Sequence, residues 1–151
     1  MPKFGKKSLE RLSTCHEDIQ AILYEVIKHY DFSVLSGIRT DEEQIKLFKD
    51  GKSKLDGVNQ KSKHQGRLDD YGNLVSYAVD IMPYKKGTNA FEDNEKERAR
   101  FYMMMGRVKQ CADTLLKEGK IKHKIRLGCD WDGDDTFNDQ TFDDLPHAEL
   151  I

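Results

Sequence analysis

The chain has 151 residues, 37% hydrophobic and 34% charged, with a mean hydropathy of −0.77. That supports one domain over residues 1–151 with its own core. It excludes a membrane span, since no apolar run approaches the roughly 18 residues required, and no secretory leader is visible. The formal charge of −2 is unevenly spread: Leu127 to Ile151 hold eight acidic residues and no Lys or Arg, leaving 25 basic and 19 acidic side chains before them.

Taken in chain order, Ile19, Ile22, Leu23, Val26, Ile27 and Tyr30 recur at helical spacing, and Thr14-x-x-Glu17 reads as their capping box. A short strand follows at Phe32–Ser36, ended by Gly37. Thr40-x-x-Glu43 caps a second helix carrying Ile45, Leu47 and Phe48, with Gly51 as its stop. Residues 52–75 are polar, contain glycine and read as mostly irregular. Tyr77–Met82 reads as a buried strand stopped by Pro83. Phe101, Met104, Met105, Val108, Ala112, Leu115 and Leu116 make a long amphipathic helix ended by Gly119, its methionines serving the core. Ile125–Leu127 and His147–Ile151 read as two further strands around an acidic loop. Few helices and several closely spaced strands make the fold α+β, with a short, mainly antiparallel sheet.

Cys15, Cys111 and Cys129 are scattered and form no CxxC pair, which argues against a disulfide framework or a cysteine-rich zinc site. Together with the missing leader, this leads us to expect synthesis in a cytoplasm. The mildly basic body reads on charge alone as a solvated mixed-charge surface, and it also suits a polyanionic partner such as nucleic acid or a cell-wall polymer. No run of five basic residues, zinc finger or RNP-like motif points to nucleic acid.

Chemistry concentrates at strand ends, at His64, Asp80 and His147. An Asp in the apolar run Ala78-Val79-Asp80-Ile81 is costly to bury unless its charge is compensated. A metal ion would compensate it. Two imidazoles and one carboxylate leave Zn²⁺ an open position, the composition of a catalytic site. Asp144 stands three residues before His147 and is the natural base, since a four-residue turn keeps two Cα atoms within about 7 Å. Taken singly, each residue has a plainer alternative. Either His can be a surface or core histidine, and Asp80 can pair with Arg39 or Arg126.

Taken together, Ser36-Gly37-Ile38-Arg39-Thr40, Ser62-Lys63-His64, Ala78-Val79-Asp80-Ile81-Met82-Pro83-Tyr84 and Asp144-Leu145-Pro146-His147-Ala148-Glu149-Leu150 occur in a familiar order. The chain resembles the zinc peptidases that include phage L-alanyl-D-glutamate endolysins and bacterial D-Ala-D-Ala carboxypeptidases. Phe4-Gly5-Lys6-Lys7-Ser8-Leu9 and Gly128-Cys129-Asp130-Trp131 resemble the endolysin branch. The resemblance implies zinc ligands at His64, Asp80 and His147 and a general base at Asp144. It also implies substrate contacts at Ser62 and at Arg39, the latter equally readable as an ion pair holding its turn. The implied activity is hydrolysis of peptidoglycan stem peptides by a monomer made in the host cytoplasm and acting on the wall once released through the membrane. A D-Ala-D-Ala carboxypeptidase and a non-catalytic wall- or calcium-binding module are the alternatives.

Two features depart from the pattern. His64 and Asp80 stand sixteen residues apart, farther than the family places them, and Gly66–Asn73 reads as an inserted surface loop that makes Asp70 a rival ligand. Asp130-x-Asp132-x-Asp134 matches the start of a calcium loop, but Asp135 stands where the glycine belongs and Thr141 where the bidentate Glu belongs. A looser Ca²⁺ site or a solvated acidic loop remains.

Overall fold

The computed structural model describes residues 1–151. Four helices and six strands follow in the order α1 (Lys6–Leu12), α2 (Glu17–Val26), β1 (Phe32–Ser36), α3 (Asp41–Lys49), β2 (Arg67–Leu68), β3 (Leu74–Val75), β4 (Ala78–Pro83), α4 (Glu95–Lys117), β5 (Ile125–Leu127) and β6 (His147–Leu150). Strands β1, β4, β6 and β5 form one antiparallel sheet in that order, and β2–β3 make a separate hairpin. The α+β class and antiparallel sheet are those expected from the sequence. No helix is long and apolar enough to cross a membrane.

The two faces of the sheet do different work because side chains alternate along a strand. Val79 and Ile81 of β4, Ala148 and Leu150 of β6, and Ile125 and Leu127 of β5 face a 23-residue apolar core shared with α2 and α4. Burying each Val, Ile or Leu side chain of this set contributes about 1.5–3 kcal/mol. The alternate residues, Asp80, His147, Glu149 and Arg126, therefore share the opposite face. In register, Asp80 stands opposite His147 and Arg126 opposite Glu149. On its other side Asp80 pairs with Ser36, past an irregularity between Val34 and Ser36 that bends β1 next to the site.

Local signals behaved unevenly. Thr40 caps α3, its Oγ1 accepting from the Glu43 amide at 3.1 Å. Gly51 (φ +72°) and Gly119 (φ +71°) follow α3 and α4 in the left-handed conformation. Met104 and Met105 are buried core residues, as the amphipathic spacing indicated. Helix α4 begins earlier than the apolar stripe, at an Asn94 cap that accepts from the Glu97 amide at 3.0 Å.

The Thr14 capping box is not formed. His16 is the cap of α2, its Nδ1 accepting from the Asp18 amide at 3.0 Å, because residues 14–16 pair with Ser76 through Ser76 N–Thr14 O (2.9 Å) and His16 N–Ser76 O (2.8 Å). The Thr14 hydroxyl instead accepts from the Ile38 amide at 2.9 Å. Helix α1, a single amphipathic segment too short to carry a periodic signal, is an element the sequence did not announce. Its Ser8 hydroxyl accepts from the Val34 amide at 3.0 Å and ties it to β1.

Candidate metal centre

His64 is carried by a tight turn after the irregular segment. The Ser62 hydroxyl accepts from the His64 amide at 3.1 Å, Gln65 Oε1 accepts from the Ser62 amide at 2.8 Å, and the His64 carbonyl takes the Arg39 amide at 2.8 Å. The imidazole is buried, with Nδ1 at 2.7 Å from the Gly37 carbonyl oxygen. A carbonyl can only accept, so Nδ1 carries a proton, and in the neutral ring Nε2 presents its lone pair. His64 Nε2 is the single buried side-chain polar atom without a hydrogen-bond partner. It faces Asp80 Oδ2 at 3.3 Å. Two acceptors pointed at each other at that distance repel unless a cation lies between them.

Asp80 is the hub. Its Oδ1 lies 3.3 Å from His147 Nδ1, and its Oδ2 lies 3.7 Å from Arg39 Nη2. Burial would raise the Asp80 carboxyl, but His147 and His64 outweigh burial and hold it far below the usual carboxylate range. For His147, burial favours the neutral ring, yet the Asp80 and Glu149 carboxylates push it up to about 9. At neutral pH without metal the His147 ring therefore carries a proton on each nitrogen. A metal ion at Nδ1 would replace one of them, so the donor set fits a divalent cation such as zinc.

Asp144 reaches the same cleft from the loop before β6, with Oδ2 at 4.0 Å from His147 Nδ1. Burial raises its carboxyl above the ordinary value. That shift moves a general base towards the pH at which it works best. The loop is held by two backbone hydrogen bonds, from the Asp144 amide to the Gly128 carbonyl (2.9 Å) and from the His147 amide to the Asp144 carbonyl (3.0 Å).

His64, Asp80 and His147 thus offer ligand atoms within 4.8 Å of one another, with Asp144 beside them. Asp70 does not join them. It sits on the exposed β2–β3 hairpin, its Oδ2 at 2.7 Å from Lys122 Nζ. The insertion loops out and returns, which is why a spacing of sixteen residues still closes on the first histidine. Ser62 and Arg39 line the cleft. The Ser62 hydroxyl serves the His64 turn, while Arg39 also donates to Gln44 Oε1 at 2.7 Å. The cleft of about 730 Å³ is further lined by Lys52, Lys54, Lys61, Lys63, Arg67 and Arg126, so the acidic centre sits inside a cationic rim.

Two other clusters could hold a metal by proximity. His16, Asp18 and His123, which no local motif groups, lie within the same 4.8 Å limit. Their converging atoms are already used within the fold: His16 Nδ1 caps α2, and Asp18 Oδ2 accepts from the Lys122 and His123 amides at 2.9 and 3.0 Å and contacts His123 Nδ1 at 2.8 Å. This cluster ties α2 to the approach of β5. Asp130, Asp132 and Asp134 also converge, and Asp130 accepts from the Gly133, Asp134 and Asp135 amides at 3.0–3.2 Å. That loop closes through its own hydrogen bonds. Only the His64 cluster combines convergent donors with an orphaned lone pair.

Sequence reasoning did not anticipate the work of Glu149, whose Oε2 lies 2.8 Å from His147 Nε2, or of Gly37, whose carbonyl fixes the His64 tautomer. The two-residue period of a strand was the available signal for Glu149. Nothing local marks Gly37. Trp131 also flanks the centre, its ring centroid 5.5 Å from that of His147.

Fold and site together define a class: small α+β domains that present two imidazoles and a carboxylate on one face of an antiparallel sheet. The family described as phage L-alanyl-D-glutamate peptidase matches residues 1–151, and the chain belongs to it. The L-alanyl-D-glutamate peptidase of Escherichia phage T5 is 30% identical over 155 residues, covering 99% of this chain and 98% of that protein. In fold, the chain is similar to the crystal structure of the Serratia marcescens L-Ala D-Glu endopeptidase ChiX. The TM-score is 0.60 at 18% identity, over 99% of this chain and 90% of that one.

Proposed function

We propose that the chain is a zinc-dependent peptidoglycan endopeptidase that hydrolyses the L-alanyl-D-glutamate bond of stem peptides as a phage lytic enzyme. The observation that carries the metal is the bare His64 Nε2 facing Asp80, with His147 Nδ1 on the other carboxylate oxygen. Membership of a phage peptidase family supports the substrate. His64, Asp80 and His147 would hold the zinc ion, which would supply Lewis acidity for attack of water on an amide carbonyl.

The chain's own residues do the rest. Asp144 Oδ2 takes the proton of the attacking water and returns it to the departing amine, a role that its raised carboxyl suits. Arg39 steadies Asp80 from the wall of the cleft and presents a guanidinium to the substrate. The lysines and arginines of the rim draw in stem peptides, which carry free carboxylates. Arg67, on the inserted hairpin, contributes to that rim, so the insertion borders the substrate path.

The test is mass spectrometry of fragments released from purified peptidoglycan by the zinc-loaded protein. New L-Ala carboxyl and D-Glu amino ends are expected. Loss of terminal D-Ala alone would assign a carboxypeptidase, and binding without any release would leave a wall-binding module.

A further inference from the structure

We propose that Glu149 is a positioning residue for the metal centre: it fixes which nitrogen of His147 faces the metal, and Arg126 holds it there. The inference rests on the metal reading above. Glu149 is buried, two residues beyond His147 on the same face of β6 and directly opposite Arg126 on β5. Its Oε2 lies 2.8 Å from His147 Nε2, and its Oε1 takes Arg126 Nε at 3.0 Å and the Arg126 Nη2 hydrogen as well. Both oxygens are therefore engaged, and the residue is only 6% exposed. That separates Glu149 from Asp144, whose side chain is 39% exposed to the cleft.

A carboxylate only accepts, so His147 Nε2 keeps its hydrogen and Nδ1 is the nitrogen that can ligate, at 3.3 Å from Asp80 Oδ1. His64 is fixed in the opposite sense, with Nδ1 on the Gly37 carbonyl and Nε2 free. With a metal bound, the two imidazoles would thus be held in complementary tautomers by different acceptors, one a neutral carbonyl and one a carboxylate. The carboxylate additionally makes its ring a more basic ligand, as outer partners of metal-bound histidines do. The sheet face reads as a continuous row: Arg126, Glu149, His147, Asp80.

The experiment measures zinc dissociation constants of the full chain by competition with a chromophoric chelator, for the wild type, Glu149→Ala and Glu149→Gln. The ring ¹⁵N resonances of zinc-loaded wild type are recorded alongside. Glu149→Ala should bind zinc 10- to 100-fold more weakly, and Glu149→Gln, which keeps a neutral acceptor, about 3- to 10-fold more weakly. His147 should show Nδ1 coordinated and Nε2 protonated. If Glu149→Ala does not fold, Glu149→Gln decides alone. Wild-type affinity in a folded variant, or coordination through Nε2, overturns the proposal. So does a Gln variant with unchanged zinc affinity and no turnover, which would make Glu149 a reacting group. Should the wild type itself bind no zinc, the metal reading fails and this inference with it; zinc-binding wild type with unchanged variants removes this inference alone.

Discussion

Gly128→Ala tests whether the placement of Asp144 depends on a backbone contact. An added Cβ at residue 128 would stand 2.2 Å from the Asp144 carbonyl oxygen, 3.0 Å from its carbonyl carbon and 2.9 Å from its Cβ, where ordinary contacts lie at 3.4–4 Å. The obstructing atoms belong to backbone and cannot swing aside as a long side chain would. The loop before β6 must therefore retreat by about 1 Å, and a displacement of that size at a catalytic group can lower turnover about 10²-fold. Overpacking costs about 1–3 kcal/mol, and the hydrogen bond from the Asp144 amide to Gly128 adds about 1 kcal/mol when it is stretched. For a domain of this size that total lowers Tm by roughly 5–15 °C. The assays are kcat on purified peptidoglycan, zinc content and thermal melting. Reduced kcat with zinc retained is the expected result. Near-wild-type turnover and melting would show that Gly128 does not position Asp144, and loss of zinc would show that the disturbance reaches His147.

Asp144→Asn should lower kcat by about 10²- to 10⁴-fold while zinc content is unchanged; loss of zinc would make Asp144 a ligand instead. Because burial raises this carboxyl, the wild-type rate should climb with pH through that raised value, and the acidic limb should vanish in the Asn variant. His64→Ala, His147→Ala and Asp80→Ala should each lose zinc by elemental analysis, whereas Asp70→Ala should retain it; the reverse for the two Asp variants would reassign the ligand. In metal-free protein, His147 is raised from 6.5 to about 9 and Glu149 lowered from 4.5 to about 2. The His147 contribution to stability is then full below about pH 6.5 and lost as pH rises through about 9. The Glu149 contribution is present above about pH 4.5 and lost as pH falls towards 2. Melting followed from pH 2 to 10 should show a plateau between these limits, and no decline between pH 6.5 and 9 would contradict the pairing of His147 with its two carboxylates.

Much of this protein was legible in its sequence where local chemistry dominates. Periodicity marks the core stripes of α2 and α4, Thr40 marks the start of α3, and the apolar run around Asp80 marks a buried strand whose carboxylate needs a counter-charge. Motif order brought His64, Asp80, His147 and Asp144 forward together. Thr14 shows the limit of such signals: it has the right residue type at the right spacing, but pairing with Ser76 commits that backbone before a cap can form. Whether Asp70 or Asp80 meets His64 was likewise beyond spacing, because a short excursion can leave a sheet and return without disturbing it.

The sequence by itself determined which residue types are available for chemistry and which face of most elements is apolar, since both follow from side-chain type and from the period of the backbone. Only the tertiary structure decided their juxtaposition. The antiparallel register sets Asp80 against His147 and Arg126 against Glu149. Segments separated along the chain place the Gly37 carbonyl on His64 and the Gly128 backbone on Asp144. The physical reason is that a hydrogen bond or a van der Waals stop acts over a few ångströms, between atoms whose separation along the chain carries no record of it.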